Sequence, residues 1–267
     1  MKKHLILISV ICLTLSCAAQ TQPTLNTIEE LKLLSTLWQQ DAAEYRALCY
    51  QAYNTATLRL NEIPKRKFRK HNIAIITDLD ETVLDNSYLE AQLMKDNKSW
   101  SNQLWLQWTN VSSATAVPGA VEFLQYAKQR GASIFYVSNR SVGEVQSTLI
   151  NLQKLNLPDA DTSHMLFLSN TSSKETRRQL VMKNYNVVML LGDNLNDFAQ
   201  VFEGKNISDR FSETDRAKKD WGNKFIVLPN ATYGEWENAL YNYKHDFTPE
   251  QNLNTLRTLL KGFTQLQ

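Results

Sequence analysis

The feature that most constrains this chain is a set of short apolar runs that end in polar or charged side chains. Residues 73–77, 133–137, 165–168, 187–191 and 225–228 are runs of this kind, mostly continuous and not alternating. Continuous apolar strands are buried on both faces, as in parallel sheets covered by helices. Helical stretches lie between several of them. Residues 121–130 follow Pro118-Gly119 and stop at Gly131, and 142–155 and 175–184 are further candidates. The order predicts an α/β fold with a central parallel sheet built by right-handed crossovers. Upstream, residues 28–60 carry apolar side chains at helical spacing and read as helix, until Pro64 breaks the pattern. The interval 86–117 holds Tyr88, Trp100, Trp105 and Trp108 but no clear strand, and reads as a small, mostly helical lid inserted after the first strand. Trp105 and Trp108, three residues apart, suit core packing, whereas Tyr88 and Trp100 are placed more loosely. Residues beyond 231 are expected to pack helices back onto the body.

The strand ends carry the chemistry. Ile76-Thr77-Asp78-Leu79-Asp80-Glu81-Thr82 takes a buried strand straight into carboxylates. That is costly unless they bind a cation or accept several hydrogen bonds. Leu191-Gly192-Asp193-Asn194-Leu195-Asn196-Asp197 repeats the event, with Asp197 one turn beyond Asp193 if the loop curls. Between them, Ser138-Asn139-Arg140 offers a hydroxyl, an amide and backbone donors, and Ser172-Ser173-Lys174 a fixed cation. The C-terminal ends of parallel strands are where ligands bind in such folds. Carboxylates, a hydroxyl and a lysine gathered there make a phosphate-plus-metal site, and the hard oxygens suit Mg²⁺. A lone Asp at a helix start is usually a cap, and Asp85 fits that description.

Composition excludes several alternatives. With 29 basic and 27 acidic residues the net charge is +2, and Lys2 and Lys3 account for that excess, so no nucleic-acid footprint is indicated. The basic run 65–70 is short and reads as a solvated face. Four histidines without an HExxH pattern argue against a zinc hydrolase, and there is no Gly-rich Walker loop. Three cysteines, two of them near the N-terminus, form no disulfide framework. The abundant aromatics suit lid, core or a homo-oligomer interface alike.

Lys2 and Lys3 precede an apolar run, 5–15, and then Ser16-Cys17-Ala18-Ala19. This is a signal-peptide pattern, too short for a good membrane span. Cys17 resembles the lipidated cysteine of a bacterial lipobox, although Thr14 stands where that motif has Leu. Ordinary cleavage after Ala18 is the alternative. The expected organisation is a signal over 1–17, a polar tether over 18–27 and a globular body over 28–267. The expected location is the outer membrane, attached through lipid on Cys17 and facing periplasm or exterior, or else the soluble periplasm.

Asp78-Leu79-Asp80-Glu81-Thr82 resembles the first motif of haloacid-dehalogenase-type phosphatases. The ordered set is more specific. It comprises Asp78–Ser87, Trp105 to Phe123 through Pro118-Gly119-Ala120, Phe135–Arg140, Ser173-Lys174-Glu175, Gly192–Phe198, Leu228-Pro229-Asn230 and Tyr233-Gly234-Glu235-Trp236. This set is similar to the class C acid phosphatases, the lipoprotein e(P4) family of 5′-nucleotidases, over roughly residues 28–245. The resemblance implies a Rossmann-like haloacid-dehalogenase fold and Mg²⁺-dependent hydrolysis of phosphate monoesters, nucleoside 5′-monophosphates and nicotinamide mononucleotide above all. It implies Asp78 as nucleophile and metal ligand, and Asp80 as general acid and base with its carbonyl on Mg²⁺. Thr82, Ser138, Asn139 and Lys174 would form the phosphate site, Thr82 orienting the first-motif loop. Asp193 would be a direct metal ligand and Asp197 would act through metal-bound water. Tyr88, Trp100 and Tyr233 are candidates for stacking on a substrate ring. One departure is Tyr88-Leu89, where the family has a proline and then a tyrosine. A broad-specificity exported acid phosphatase is the near alternative. A phosphotransferase or a noncatalytic nucleotide-binding protein fits the acid, lysine and hydroxyl set less well.

Overall fold

The structure, a computed structural model, describes residues 28–168 and 170–263. The signal, the tether and Cys17 lie outside the described residues.

Among the described residues there are seven strands: β1 (Ile73–Thr77), β2 (Leu84–Asp85), β3 (Thr115–Ala116), β4 (Ser133–Ser141), β5 (Met165–Leu168), β6 (Asn186–Gly192) and β7 (Phe225–Val227). Five of them form one parallel sheet in the order β5-β4-β1-β6-β7. The apolar runs all become strands of this sheet, as the α/β reading requires. All five residues of β1 are buried. Its side chains alternate between two cores, because successive residues of a strand point to opposite faces. Ile73 and Ile75 pack with Tyr53, Leu60, Phe123 and Leu152, whereas Ala74 and Ile76 pack with Val181, Phe198 and Phe202.

Among the described residues the helices are α1 (Leu33–Asp41), α2 (Ala43–Glu62), α3 (Lys65–Lys70), α4 (Ser87–Lys95), α5 (Asn102–Val111), α6 (Ala120–Gln129), α7 (Val145–Lys154), α8 (Glu175–Asn184), α9 (Ile207–Arg216), α10 (Glu235–Leu240) and α11 (Pro249–Leu259). On one face lie α2, α6 and α7; on the other lie α8 and the turns that carry Phe198 and Phe202. Among the described residues no helix is long and apolar enough to cross a membrane.

Three local differences from the sequence reading have physical causes. The continuous helix expected over 28–60 breaks at Ala42, which is extended (φ −79°, ψ 124°) while its N–H closes on the Trp38 carbonyl. The break lets α1 lie against α4 while α2 packs on α6. The basic run forms α3, entered through Pro64. Strand β4 continues to Ser141, with a register shift against β5 between Val137 and Ser141. The stretch 86–117 contains α4 and α5, and the antiparallel pair β2–β3 closes its base. Asp85 sits one residue before the cap position of α4, which Asn86 occupies, yet its Oδ1 still accepts the Ser87 N–H at 2.9 Å.

Candidate active site

The loop after β1 is built to aim carboxylates. Asp78 donates its N–H to the Leu191 carbonyl at 2.9 Å, so its backbone remains in the ladder with β6. The Leu79 carbonyl then accepts the N–H groups of Val83 and Leu84, each at 2.8 Å, which turns the chain back on itself. Such a turn needs one left-handed residue, and Glu81 takes it at φ 57°. A non-glycine residue there costs roughly 1–2 kcal/mol. Bonds to the buried Glu81 carboxylate offset that cost: from Asn86 N–H at 2.8 Å, Asn86 Nδ2 at 3.2 Å and the Tyr233 hydroxyl. Tyr53 of α2 donates to the Thr82 carbonyl at 2.6 Å and pins the far side of the loop.

The second acidic strand end curls as the spacing suggested. Asn194 caps a short 3-10 turn, Leu195–Asp197, and the Asp197 Oδ2 accepts the Asn194 N–H at 3.0 Å. The turn folds Asp197 over Gly192 so closely that a Cβ at Gly192 would overlap the Asp197 carboxyl. Asp78, Asp193 and Asp197 thereby each place a carboxylate oxygen within 4.8 Å of the others. Lys174, at the start of α8, puts its Nζ 2.5 Å from Asp78 Oδ1 and 2.6 Å from Asp197 Oδ1. Asp193 accepts from Thr82 Oγ1 at 3.3 Å and from Asn230 Nδ2 at 2.8 Å.

Three carboxylates facing one ammonium leave uncompensated negative charge where little water can screen it. Burial raises the Asp78 carboxyl well above its usual range; Lys174 opposes this, and Asp197, Asp193 and Asp80 add to it. Asp193 is pushed up to about 7 by burial and by Asp197, against the Asn230 hydrogen bond and Lys174. Burial draws the Lys174 pKa down, but Asp197 and Asp78 outweigh it and hold the ammonium charged. Without a cation the cluster therefore favours proton uptake. These residues fit a hard divalent cation, whose charge would replace that proton.

Arginines frame the β4 side of the cluster. Ser138 is buried at the end of the apolar part of β4, its hydroxyl 3.3 Å from Asp80 Oδ2, whereas Asn139 is exposed. Arg177 donates to the Ser138 carbonyl at 2.5 Å and to Asn139 Oδ1 at 2.6 Å, and also reaches the carbonyls of Ser172 and Ser173. The neighbouring Arg178 donates to the carbonyls of Asn196 at 2.7 Å and Asp197 at 3.1 Å. Consecutive arginines of α8 thus hold the loops on either side of Lys174. Arg140 grips Asp80 through Nη2 at 2.8 Å and Nε at 3.0 Å.

The contacts bring Asp78, Asp80, Thr82, Ser138, Lys174, Asp193 and Asp197 together, with Asn139 joined through Arg177. The three ring candidates differ. Tyr233 is half-buried, bonded to Glu81, and carries the Lys32 ammonium 5.7 Å from its ring centre. Tyr88 is 53% exposed and stacks on Trp108 at 6.3 Å between centroids. Trp100 is also exposed, and its backbone N–H is held at 2.6 Å by Glu29 in the turn ahead of α1. Trp105 and Trp108, expected in the core, are half-buried and bond through their indole N–H groups to Glu144 and Asn86. Sequence reasoning assigned no role to Glu81, Asn86, Arg140, Arg177, Arg178 or Asn230. One signal was available for Arg140, a charged residue two positions beyond a buried strand serine and hence on the same face.

A family model for the HAD superfamily, subfamily IIIB (acid phosphatase), matches residues 1–236. Among solved structures, the class C acid phosphatase from Bacillus anthracis is 38% identical, with a TM-score of 0.83 over 88% of this chain and 99% of that one. The same enzyme with tungstate bound is 37% identical, with a TM-score of 0.82 over 89% of this chain and 99% of that one.

Proposed function

This chain belongs to the acid phosphatases of HAD subfamily IIIB, and from that premise we propose that it hydrolyses nucleoside 5′-monophosphates and nicotinamide mononucleotide through a phosphate ester on Asp78. The observation that carries the mechanism is Lys174 lodged between Asp78 and Asp197, with Asp193 beside them at the ends of adjacent parallel strands. A phosphate dianion entering there meets backbone donors and the Ser138 hydroxyl from β4 and the ammonium from α8. A related enzyme binds tungstate, a tetrahedral oxyanion, which supports a phosphate-type substrate.

Asp78 Oδ attacks phosphorus in line with the departing oxygen, and the P–O bond to the alcohol breaks. Asp80 delivers a proton to that oxygen. It then takes one from the water that attacks the aspartyl-phosphate, which frees Asp78 and releases inorganic phosphate. Lys174 offsets charge on Asp78 and on the phosphoryl oxygens. The metal is proposed to be Mg²⁺, held by Asp78, Asp193 and the Asp80 carbonyl, with Asp197 supporting it through water. When bound, it neutralises the negative charge of carboxylates and phosphate and orients the phosphoryl group. Thr82 and Asn230 steady Asp193 for this task.

For the organic part of the substrate, the exposed ring of Tyr88 and the ring of Tyr233 offer faces to a planar base, and Trp100 a third. We further propose that the chain acts outside the cytoplasm, tethered through lipid on Cys17. Two measurements test the reading. Asp78→Asn should abolish turnover and lose the phosphate label that wild type carries on Asp78; substantial turnover by the variant would refute the nucleophile. AMP and nicotinamide mononucleotide should exceed a small aryl phosphate in kcat/KM when each is assayed with and without Mg²⁺. Equal efficiencies would favour a broad-specificity phosphatase.

A further inference from the structure

We infer that Trp105 and Trp108 of the lid helix α5 are positioning residues for Asp80, acting through Arg140 and Asn86. The inference rests on the acid–base role of Asp80 proposed above and names what holds that side chain in place.

The two oxygens of Asp80 are treated unequally. Oδ1 accepts from Arg140 Nη2 at 2.8 Å, Arg140 Nε at 3.0 Å and Asn86 Nδ2 at 2.9 Å. Oδ2 has only longer contacts, 3.3 Å each, to Arg140 Nε and Ser138 Oγ. Oδ1 is the anchored oxygen, and Oδ2 keeps capacity to exchange a proton with a substrate oxygen.

Each anchor is itself fixed by an indole. Asn86 accepts the Trp108 Nε1–H on its Oδ1 at 2.8 Å, which orients the amide so that its nitrogen faces Asp80. The buried Arg140 bonds Thr148 Oγ1 of α7 at 3.0 Å, and its guanidinium carbon lies 5.5 Å from the centre of the Trp105 ring. Trp105 in turn donates to Glu144 Oε1 at 2.8 Å, whose other oxygen caps Ser141 at the end of β4. The two tryptophans are three residues apart and so share one face of α5. That face closes over both holders of Asp80. Tyr88, which is open to a ligand, stacks on Trp108. Seating α5 and aligning Asp80 are therefore one event. Displacing the helix would break both links at once, and misplacing a reacting group by about 1 Å costs about 100-fold in rate.

The test separates positioning from a general loss of structure by varying the leaving group. An alkyl phosphate needs a proton from Asp80 as its P–O bond breaks, whereas 4-nitrophenyl phosphate releases a stable anion. Because kcat/KM covers the steps up to the first P–O cleavage, the alkyl-to-aryl ratio of kcat/KM reads proton delivery alone. Asp80→Asn sets the reference and should lower the ratio about 100-fold or more. Arg140→Lys keeps the charge but loses the fork, and should lower the ratio about 10-fold. Trp108→Phe keeps the ring but loses the N–H donor, and should lower it about 3-fold, in line with one lost hydrogen bond. If Asp80→Asn lowers the ratio while Arg140→Lys and Trp108→Phe reduce both esters by a common factor, the positioning inference is overturned and the role of Asp80 stands. If Asp80→Asn leaves the ratio unchanged, the acid role itself falls and the inference with it. Should Arg140→Lys fail to fold, Trp108→Phe decides alone.

Discussion

Replacing Lys174 with methionine isolates what its charge does, because the two side chains have similar length and the packing of the stem is kept. In the native site Nζ lies 2.5 Å from Asp78 and 2.6 Å from Asp197, and the lysine is only 6% exposed. Removing one partner from a buried pair costs about 3–5 kcal/mol. Part of that is relieved when a carboxyl takes up a proton, which Asp193, already pushed up to about 7, is poised to do. The net loss should be about 3 kcal/mol at pH 8 and smaller at pH 6. For a domain of this size that corresponds to a midpoint lower by about 6–12 °C in chelator. Mg²⁺ should then narrow the gap, since a cation restores positive charge among the three carboxylates. Saturation at 100 times Kd contributes about 2.7 kcal/mol. Thermal unfolding by circular dichroism, in EDTA and across a Mg²⁺ titration at both pH values, reads all of this. An unchanged midpoint in EDTA at pH 8, or a gap indifferent to Mg²⁺, would refute the view that the lysine serves as the standing counter-charge of a metal centre.

Two further predictions concern the same cluster. In the chelated protein Asp78 and Asp193 hold protons more tightly folded than unfolded, so folding takes up protons. Stability should fall as pH rises from the ordinary carboxylate range to about 7, and Mg²⁺ should remove the trend. A midpoint that climbs over this window in EDTA would contradict it. Gly192→Ala forces a methyl into Asp197 and should cost about 1–3 kcal/mol and most of the turnover. The companion Gly143→Ala, whose Cβ meets only Ser141 Oγ at 3.7 Å, should leave both near wild type, and equal effects of the two would rule out the steric account.

The sheet was readable in advance because its strands are apolar on both faces; their order was not, because five similar runs carry no mark of which pairs with which. The acidic residues were readable for the converse reason: carboxylates directly after such runs have no cheap structural use. The side chains that steady the site left a weaker trace. Glu81 is one more acid in an acidic string, Asn86 follows the Asp85 that the sequence offers as a cap, and Arg177 and Arg178 lie in a strongly polar helical stretch. Their roles depend on loops brought together by β-pairing, and no local pattern encodes that meeting. The break at Ala42 was hidden because alanine favours helix and signals no stop; the departure follows from α1 and α2 having different partners.

The place of β1 in the sheet also governs when the enzyme comes into being. Its neighbours β4 and β6 are both made later, and the groups that meet the first-motif loop lie 96 residues downstream at Lys174 and 111 residues downstream of Thr82 at Asp193. A nascent chain that stops short of Lys174 holds Asp78 with neither its counter-ion nor the other two carboxylates of its cluster. Its central strand also has an unpaired edge that invites aggregation. The site is thus assembled only near the close of folding, so a partly made polypeptide lacks the full acidic cluster.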